Sequence, residues 1–524
     1  KIKKMLRFFA ALFKVHCLLS SFALSLTSTF NAIKSHDLPA KSVGIDLGTT
    51  NSAIAVVIDG KPVIVNNSKG KSTTPSVVAW QRKNDFVVGE NALNSVDDAV
   101  VFSGIKRLIG SSLSKLKKSG LKLNAMGVDL RQEGPVQLKT NSEVSLTPED
   151  ISSKIIESLI ADSEKFLKNK AKVTRAVIGV PAYFNEEQCL ATEKAGLKGG
   201  LEKVKIMREP EAAALAYGLT KNEDELVLVF DLGGGTFDVS VLLVGRGVVE
   251  VIATSGNPQL GGDDFDNCIA SWIIDEIIKS GGPDPRMSSK TYKILIKKAE
   301  QARINLSNQT ETSIALNDEA IGSNLELKLS RSKMEAICAE PLKNILQPIR
   351  EVALMANICL EGETGQTPET ENLRVSNINL LKHLKFTSLC KQEMDDNDEP
   401  YSSIRQSKKG RNISRKTSKS KRMQSTEFTK VKKEVKGKLH NFPTGQKLDQ
   451  VIMVGGATRM LCVRNLVESM TGIAPKITVN PDEAVALGAA IYAGIIDGEI
   501  KDMDVMTAWQ AAVMRTMALE KNIK

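Results

Sequence analysis

The chain has 524 residues, 42% hydrophobic and 25% charged, which is too long for one ordinary domain and ordinary in make-up for a globular protein with two or more cores. Its formal charge of +10 is concentrated at residues 1–40 (net +5) and 401–438 (net +12), leaving a mildly acidic remainder of −7, so specific nucleic-acid binding is not expected. Seven scattered cysteines (Cys17, Cys189, Cys268, Cys338, Cys359, Cys390, Cys462) without a CxxC argue against a disulfide framework, and four isolated histidines argue against a zinc site.

Residues 1–40 read as a targeting segment. They are basic and rich in Ser and Thr between Ser20 and Ser35, and they hold no acid before Asp37. That composition suits organelle import, plastid ahead of mitochondrion, with secretion into the endoplasmic reticulum as the alternative. The apolar run around Leu6–Leu26 is interrupted by Lys14 and His16, so no membrane span is expected.

From Lys41 the pattern is strand-rich: VGIDLG, AIAVVID, KPVIVNN and SVVAW. Thr147-Pro148-Glu149-Asp150 supplies a cap residue, a proline for the first helical position and early acids. Ile151, Ile155, Ile156, Leu159 and Ile160 then trace one apolar helix face. Strand KVTRAVIGVPA, helix NEEQCLATEKAG, strand KVKIMREP and helix EAAALAYGL follow. This alternation indicates an α/β protein with two related halves. Residues 357–446 break the order with a basic, apolar-poor insertion (KKGRNISRKTSKSKR), and the α/β pattern resumes at LDQVIMVGGATRM and NPDEAVALGAA.

Two stretches share one design. GIDLGTTNSAIAV (Gly44–Val56) and VFDLGGGTFDVSVL (Val229–Leu242) each run apolar strand, Asp-Leu-Gly, small and hydroxyl residues, then an alternating strand, with Asp46 and Asp231 in matching places. Such a turn exposes backbone N–H groups that can approach an anion. An Asp at the strand end can hold a hydrated Mg²⁺ through its waters. Two facing copies would clamp a polyphosphate. The competing phosphate loop fails, because Val65 stands where the first glycine before Gly70-Lys71-Ser72 belongs. Glu300, Arg303 and Ser307 recur at i, i+3, i+7, a spacing that puts them on one helix face.

These stretches, with VIMVGGATRM, IKRLIG (Ile105–Gly110), VIGVPAYFNEEQ, EPEAAALAYGL, LGGDDFDN, KKAEQARINLS and NPDEAVALGAA, resemble the nucleotide-binding domain of the 70-kDa heat-shock chaperones over about 41–356 and 447–500. The resemblance implies a duplicated actin-like, hexokinase-like ATPase fold, with two lobes across 41–503 gripping ATP or ADP in a central cleft. It implies a slow Mg²⁺-dependent ATPase of protein folding and the stress response, with K⁺ as an accessory ion. By position it places Asp46 and Asp231 around Mg²⁺ through water, and Gly48, Thr49, Thr50, Asn51, Gly233, Gly234, Gly235 and Thr236 at the phosphates. Lys106 would position the attacking water, and Glu209 and Asp238 would complete that network. Glu300, Arg303, Ser307, Gly455, Gly456 and Arg459 would meet the adenosine, with Asp482 near the nucleotide. A monomer served by a J-domain co-chaperone and a nucleotide-exchange factor is implied as well.

Departures qualify this expectation. The family's peptide-binding β-sandwich and helical lid do not follow residue 503; the chain ends in an amphipathic stretch, 504–524, whose Trp509, Ala512, Val513, Thr516 and Met517 follow helical spacing. Cys189 stands where the family has a coupling arginine, Arg208 and Glu211 replace Asn and Thr around Glu209, and Leu461 replaces a proline. These changes spare the expected phosphate contacts and bear on coupling to a peptide domain. Two alternatives are a non-hydrolysing, nucleotide-gated interaction protein and a small-molecule kinase on the same fold, although no acceptor motif supports the kinase.

Overall fold

The computed structural model describes residues 38–360 and 446–501, apart from short stretches at 82–84, 96–98, 119–120, 122, 124–125, 131–133, 141–143, 219–223, 246–247 and 317–324. The targeting segment before Leu38, the body of the basic insertion (361–445) and the 504–524 tail lie outside the described residues.

Alternation of apolar residues builds β1 (Ala40–Asp46) and β2 (Asn51–Ile58), which pair antiparallel with Val43 opposite Val56 and Asp46 opposite Ala53. β3 (Lys61–Ile64) extends the meander. A capping box starts α1 (Pro148–Phe166): the Thr147 hydroxyl accepts from the Asp150 N–H, and the Asp150 carboxylate accepts from the Thr147 N–H. The five residues expected on its apolar face, Ile151 to Ile160, are all buried. β4 (Lys172–Val180) then lies parallel to β1. α2 (Glu186–Lys198) leads to β5 (Lys203–Arg208), parallel to β4. The main path of this first sheet is β5-β4-β1-β2-β3.

The second half repeats the plan. After α3 (Glu209–Ala216), the strands β6 (Glu225–Leu232), β7 (Phe237–Gly245) and β8 (Val248–Asn257) form an antiparallel meander. α4 (Gly262–Lys279), α5 (Ser289–Leu306) and α6 (Ala339–Ala356) follow, and β9 (Gln450–Val454) returns parallel to β6. Its order, β8-β7-β6-β9, matches β3-β2-β1-β4 of the first sheet strand for strand. The Asp46 and Asp231 loops therefore occupy equivalent corners of duplicated lobes, the architecture the two sequence copies predict. The insertion leaves and re-enters at one point, because Ile358 and Gln446 form an isolated parallel bridge.

α7 (Leu461–Thr471) and α8 (Ala484–Ile496) complete the fold. One core gathers β1, β2, β4, α1 and α2 around Ile45, Ile54, Ile155 and Ile178. A second gathers β6, β7, α4, α6 and α7 around Phe230, Phe237, Phe265 and Ile349. A third joins the lobes: Ala212–Leu215 of α3 and Ala484, Val485 and Ala489 of α8 pack with Val227, Val229 and Ile452 of the second sheet. The lobes share one seam, and the two Asp-Leu-Gly loops meet at the strand ends.

Candidate functional site

The loop between β1 and β2 carries Leu47–Thr50, and the loop between β6 and β7 carries Gly233–Thr236. They face each other closely: a methyl group added at Gly234 would come within 2.2 Å of Thr50 Oγ1, so only glycine fits there. The second loop also rests on the start of α4. The Gly262 N–H donates to the Gly233 carbonyl at 2.9 Å, and the Asp263 N–H to the Gly234 carbonyl at 2.7 Å. Gly48 lies against its own turn, where a side chain would strike the Asn51 carbonyl, and Asn51 itself opens β2 and is exposed. Across the loops, the Arg107 guanidinium reaches from the first lobe and donates to the Gly235 carbonyl of the second.

Lys106 stands beside it in a short 3-10 turn, Ile105–Arg107, anchored by buried Ile105, Leu108 and Ile109. Its ammonium donates to Glu209 Oε1 at 2.5 Å, and both side chains are nearly buried, at 11% and 8% exposed. Glu209 is the first residue of α3. Asp46, Asp231 and Asp238 surround the pair. Desolvation pushes the Asp46 carboxyl up to about 7; Lys106 opposes the shift, and Glu209 and Asp482 reinforce it. Asp231 is raised well above the ordinary carboxylate range, first by burial and then by Glu209, Asp238 and Asp46. Asp238 is raised by burial and by Glu209. Burial disfavours the Lys106 charge, yet Glu209, Asp46 and Asp231 outweigh it and hold the ammonium above its usual pKa.

One ammonium thus faces four carboxylates in a desolvated pocket, an arrangement that favours added positive charge. Two oxygens are also ready for a ligand: Thr49 Oγ1 and Asp238 Oδ1 are buried and make no hydrogen bond. Among the described residues, no three His, Cys, Asp or Glu side chains converge on one ion directly. The desolvated carboxylates of Asp46 and Asp231 are the oxygen donors that a hydrated divalent cation takes.

The VIMVGGATRM stretch lies against the same loops. Gly455 adopts φ +82°, and a side chain there would meet Leu232 O at 2.4 Å and Asp231 Oδ1 at 2.7 Å. A methyl at Gly456 would lie 2.5 Å from Asp482 Oδ1. Arg459 donates to Asp482 at 2.8 Å and also to Asn480, so its guanidinium is tied to that segment. On α5, Arg303 forms a buried two-pronged bridge to Asp266 at 2.7 and 3.0 Å, rather than the i, i+3 pair with Glu300 that spacing alone would allow. A methyl at Gly262 would come 3.3 Å from the Arg303 guanidinium and 3.5 Å from Ala457, which puts Arg303 beside the Gly456 turn. Glu300 is an exposed residue, and partial desolvation of its carboxyl, with nearby Asp266, raises its pKa. Ser307 ends α5, its hydroxyl 3.5 Å from the Arg303 carbonyl, and no contact ties it to the loops.

Asp46, Thr50, Lys106, Glu209, Asp231, Gly234, Asp238, Gly455, Gly456 and Asp482 are therefore brought together from segments spread over more than 400 residues. Four further residues join them that sequence reasoning passed over. Arg107 is one. Tyr183 is a second, partly exposed residue whose phenol pKa is raised by desolvation and by Asp238 and Glu209. Asp263, an exposed residue whose carboxyl is raised to about 6 by partial desolvation against the opposing Arg107 charge, and Asp266 are the others. Each sits inside a quoted stretch (IKRLIG, VIGVPAYFNEEQ, LGGDDFDN), so the signal was present without an assignment.

The departures from the family pattern have local structural roles. Arg208 donates to the Pro181 and Phe184 carbonyls at 3.0 and 2.9 Å, holding the loop that carries Tyr183. The Glu211 carboxylate accepts from the Arg208 N–H at 3.3 Å and so caps α3. Cys189 packs on α2 against the first core, and Leu461 opens α7.

The model of the family described as "Hsp70 protein" matches residues 42–361 and 382–510. The chain is 36% identical over 474 residues to "Heat shock 70 kDa protein 6, chloroplastic" of Arabidopsis thaliana, covering 88% of this chain and 53% of that protein. It is 35% identical over 470 residues to the "Stromal 70 kDa heat shock-related protein, chloroplastic" of Pisum sativum, covering 88% and 54%. With the chaperone protein DnaK of Thermus thermophilus it is 37% identical over 473 residues, covering 88% and 62%. The chain spans between about half and three fifths of the length of these relatives. With the loops, the lysine–carboxylate cluster and the matched strand orders already in place, this match over most of the sequence makes the chain a member of the Hsp70 family.

Proposed function

We propose that this chain binds ATP between its lobes and hydrolyses it slowly to ADP and phosphate, as the ATPase part of a chaperone acting in protein folding. The observation that carries the reading is the meeting of the two duplicated loops over Lys106 and four carboxylates. Backbone N–H groups of Gly48–Asn51 and Gly234–Thr236 cradle the phosphates, while the Gly233 N–H closes the loop on the Thr236 carbonyl at 3.0 Å, and the unpartnered Thr49 hydroxyl is available to a phosphate oxygen. Asp46 and Asp231 hold Mg²⁺ through water; the ion, when bound, neutralises charge on the phosphate oxygens. Lys106 stabilises the γ-phosphate and, with Glu209 and Asp238, orients the attacking water. The chemistry is positioning and charge stabilisation rather than covalent catalysis. Glu300, Arg303, Ser307, Gly455, Gly456 and Arg459 take the adenosine, the Arg459 plane stacking on the base.

A J-domain co-chaperone and a nucleotide-exchange factor are the partners this reading implies, on a monomer. Among the described residues no helix is long and apolar enough to cross a membrane. The acid-poor, Ser/Thr-rich first forty residues and the chloroplastic names of two relatives support import into a plastid.

Single-turnover hydrolysis of ATP with Mg²⁺, compared with Lys106→Ala, tests the assignment. Turnover in the parent and its loss in the variant, about 100-fold or more for one preorganised charge, are expected. Equal rates in the two proteins would sink it. Tight ATP binding without turnover would favour a nucleotide-gated interaction protein. Replacing K⁺ by Na⁺ in the same assay reads the accessory ion.

A further inference from the structure

A second cluster of chemically active side chains lies away from the nucleotide cleft, and the nucleotide reading does not use it. Cys268, in the second turn of α4, is half-buried; Cys338, at the junction between the helix Arg331–Ile337 and α6, is fully buried. The two thiols act on each other's ionisation, each shifting the other through a side-chain hydrogen bond. An independent contact fixes the same approach: Cys338 Sγ lies 3.8 Å from the carbonyl oxygen of Phe265, which is one turn before Cys268 on α4. Cys268 lines an open cleft of about 280 Å³ together with Asp264, Asn267, Pro341 and Asn344. One sulfur of the pair is reached from solvent and the other is sealed behind it.

We propose that Cys268 and Cys338 form a reversible disulfide when the protein meets a hydroperoxide, with Cys268 as the attacking thiol and Cys338 as the resolving one. The division of labour follows from the surroundings. The hydrogen bond from Cys338 lowers the Cys268 thiol to about 7, although burial and the Asp264 charge oppose it. Cys338 is pushed the other way, by the same bond and by burial, so it keeps its proton. In the first step the Cys268 thiolate attacks one peroxide oxygen, the O–O bond breaks, and the leaving hydroxide takes a proton to become water. Cys268 is then a sulfenic acid. In the second step Cys338 sulfur attacks Cys268 sulfur, the S–O bond breaks, and the Cys338 proton leaves with the hydroxide as a second water. Two thiols have lost two electrons and two protons, and one hydrogen peroxide has become two waters. In forming the bond the sulfurs close to about 2.05 Å.

The bond would tie α4 to the segment between the helix Arg331–Ile337 and α6. α4 begins with the Gly262 and Asp263 N–H groups that support the second loop. Oxidation would therefore stiffen the base of one phosphate loop. Buried Cys462, which also raises Cys338, is the competing resolving thiol.

The full chain is treated with hydrogen peroxide, free thiols are blocked with N-ethylmaleimide, and the non-reduced digest is mapped by mass spectrometry. The expected product is a peptide pair joined through Cys268 and Cys338, two hydrogens lighter than the sum of its parts and released by dithiothreitol. In Cys338→Ser the link is absent and Cys268 accumulates as a sulfenic acid that dimedone traps. Because the wild-type map decides alone, a variant that folds poorly does not weaken the test. The proposal is overturned if Cys268 remains open to alkylation after treatment, if its sulfenic acid persists in the wild type without a link, or if Cys338 pairs instead with Cys462.

Discussion

Asp46 sits where three influences compete: desolvation and two neighbouring carboxylates raise its pKa to about 7, and Lys106 opposes them. In the unfolded chain the same carboxyl ionises near pH 4. Between these values the folded protein holds a proton that the unfolded chain has released, so stability falls as pH rises and levels off above about 7. The nucleotide-free protein should therefore melt at a lower temperature at pH 7.5 than at pH 5, by an amount corresponding to roughly 2 kcal/mol or more. Asp46→Asn should flatten much of that fall. Mg²⁺ with ADP should restore more stability at pH 7.5 than at pH 5, because the hydrated ion needs the ionised carboxylates. Differential scanning fluorimetry across that range checks it, and a flat wild-type profile would contradict the coupling. Asp46 and Asp231 were legible in the sequence because the strand–loop–strand pattern is repeated. Lys106, by contrast, emerged only through resemblance, since nothing local marks a lysine in a 3-10 turn as special. The links from Arg107 to Gly235 and from Arg303 to Asp266 were not legible at all, because each joins residues on separate elements and spacing carries no record of that.

Among elements, the helix starts were the most readable feature. Thr147 and Asp150 cap α1 as the residues predict, and Asn185 with Gln188 does the same for α2. The sheet order was not readable, since β1 pairs with β4 across some 130 residues and periodicity does not specify partners. The run of small residues in α8 gained its explanation only from packing. α8 is pressed against α3 at the seam between the lobes, where a methyl on Gly488 would stand 1.7 Å from the Ala212 carbonyl oxygen. In an open helix, Gly→Ala gains about 1 kcal/mol. Here Gly488→Ala must separate two backbones, so the sign reverses and a loss of about 2–3 kcal/mol is expected. Urea unfolding measures it, and a midpoint equal to or above wild type would show that α8 does not approach α3 so closely.

For the whole molecule the central question is what holds the two lobes together. The third core fastens the lobes at the seam, and at the strand ends the loops approach through Thr50 and Gly234. Arg107 adds a charged clasp there, anchored in the first lobe beside Ile105 and Leu108 and donating to Gly235 of the second. Its Nε is buried without a partner, and Asp263 on α4 sits close enough to feel its charge. A hydrogen bond from a charged donor has a net value of about 1.5–3 kcal/mol, or about 10- to 100-fold in an equilibrium. Arg107→Gln should therefore speed release of bound nucleotide at least about 10-fold, because the lobes open more easily. Stopped-flow release of a fluorescent ADP and of the matching ATP analogue reads this directly. A clasp between lobes predicts that both accelerate together, since the contact is protein to protein. Acceleration confined to the triphosphate would mean that Arg107 instead touches the γ-phosphate, and unchanged release of both would mean that the seam alone sets the opening rate.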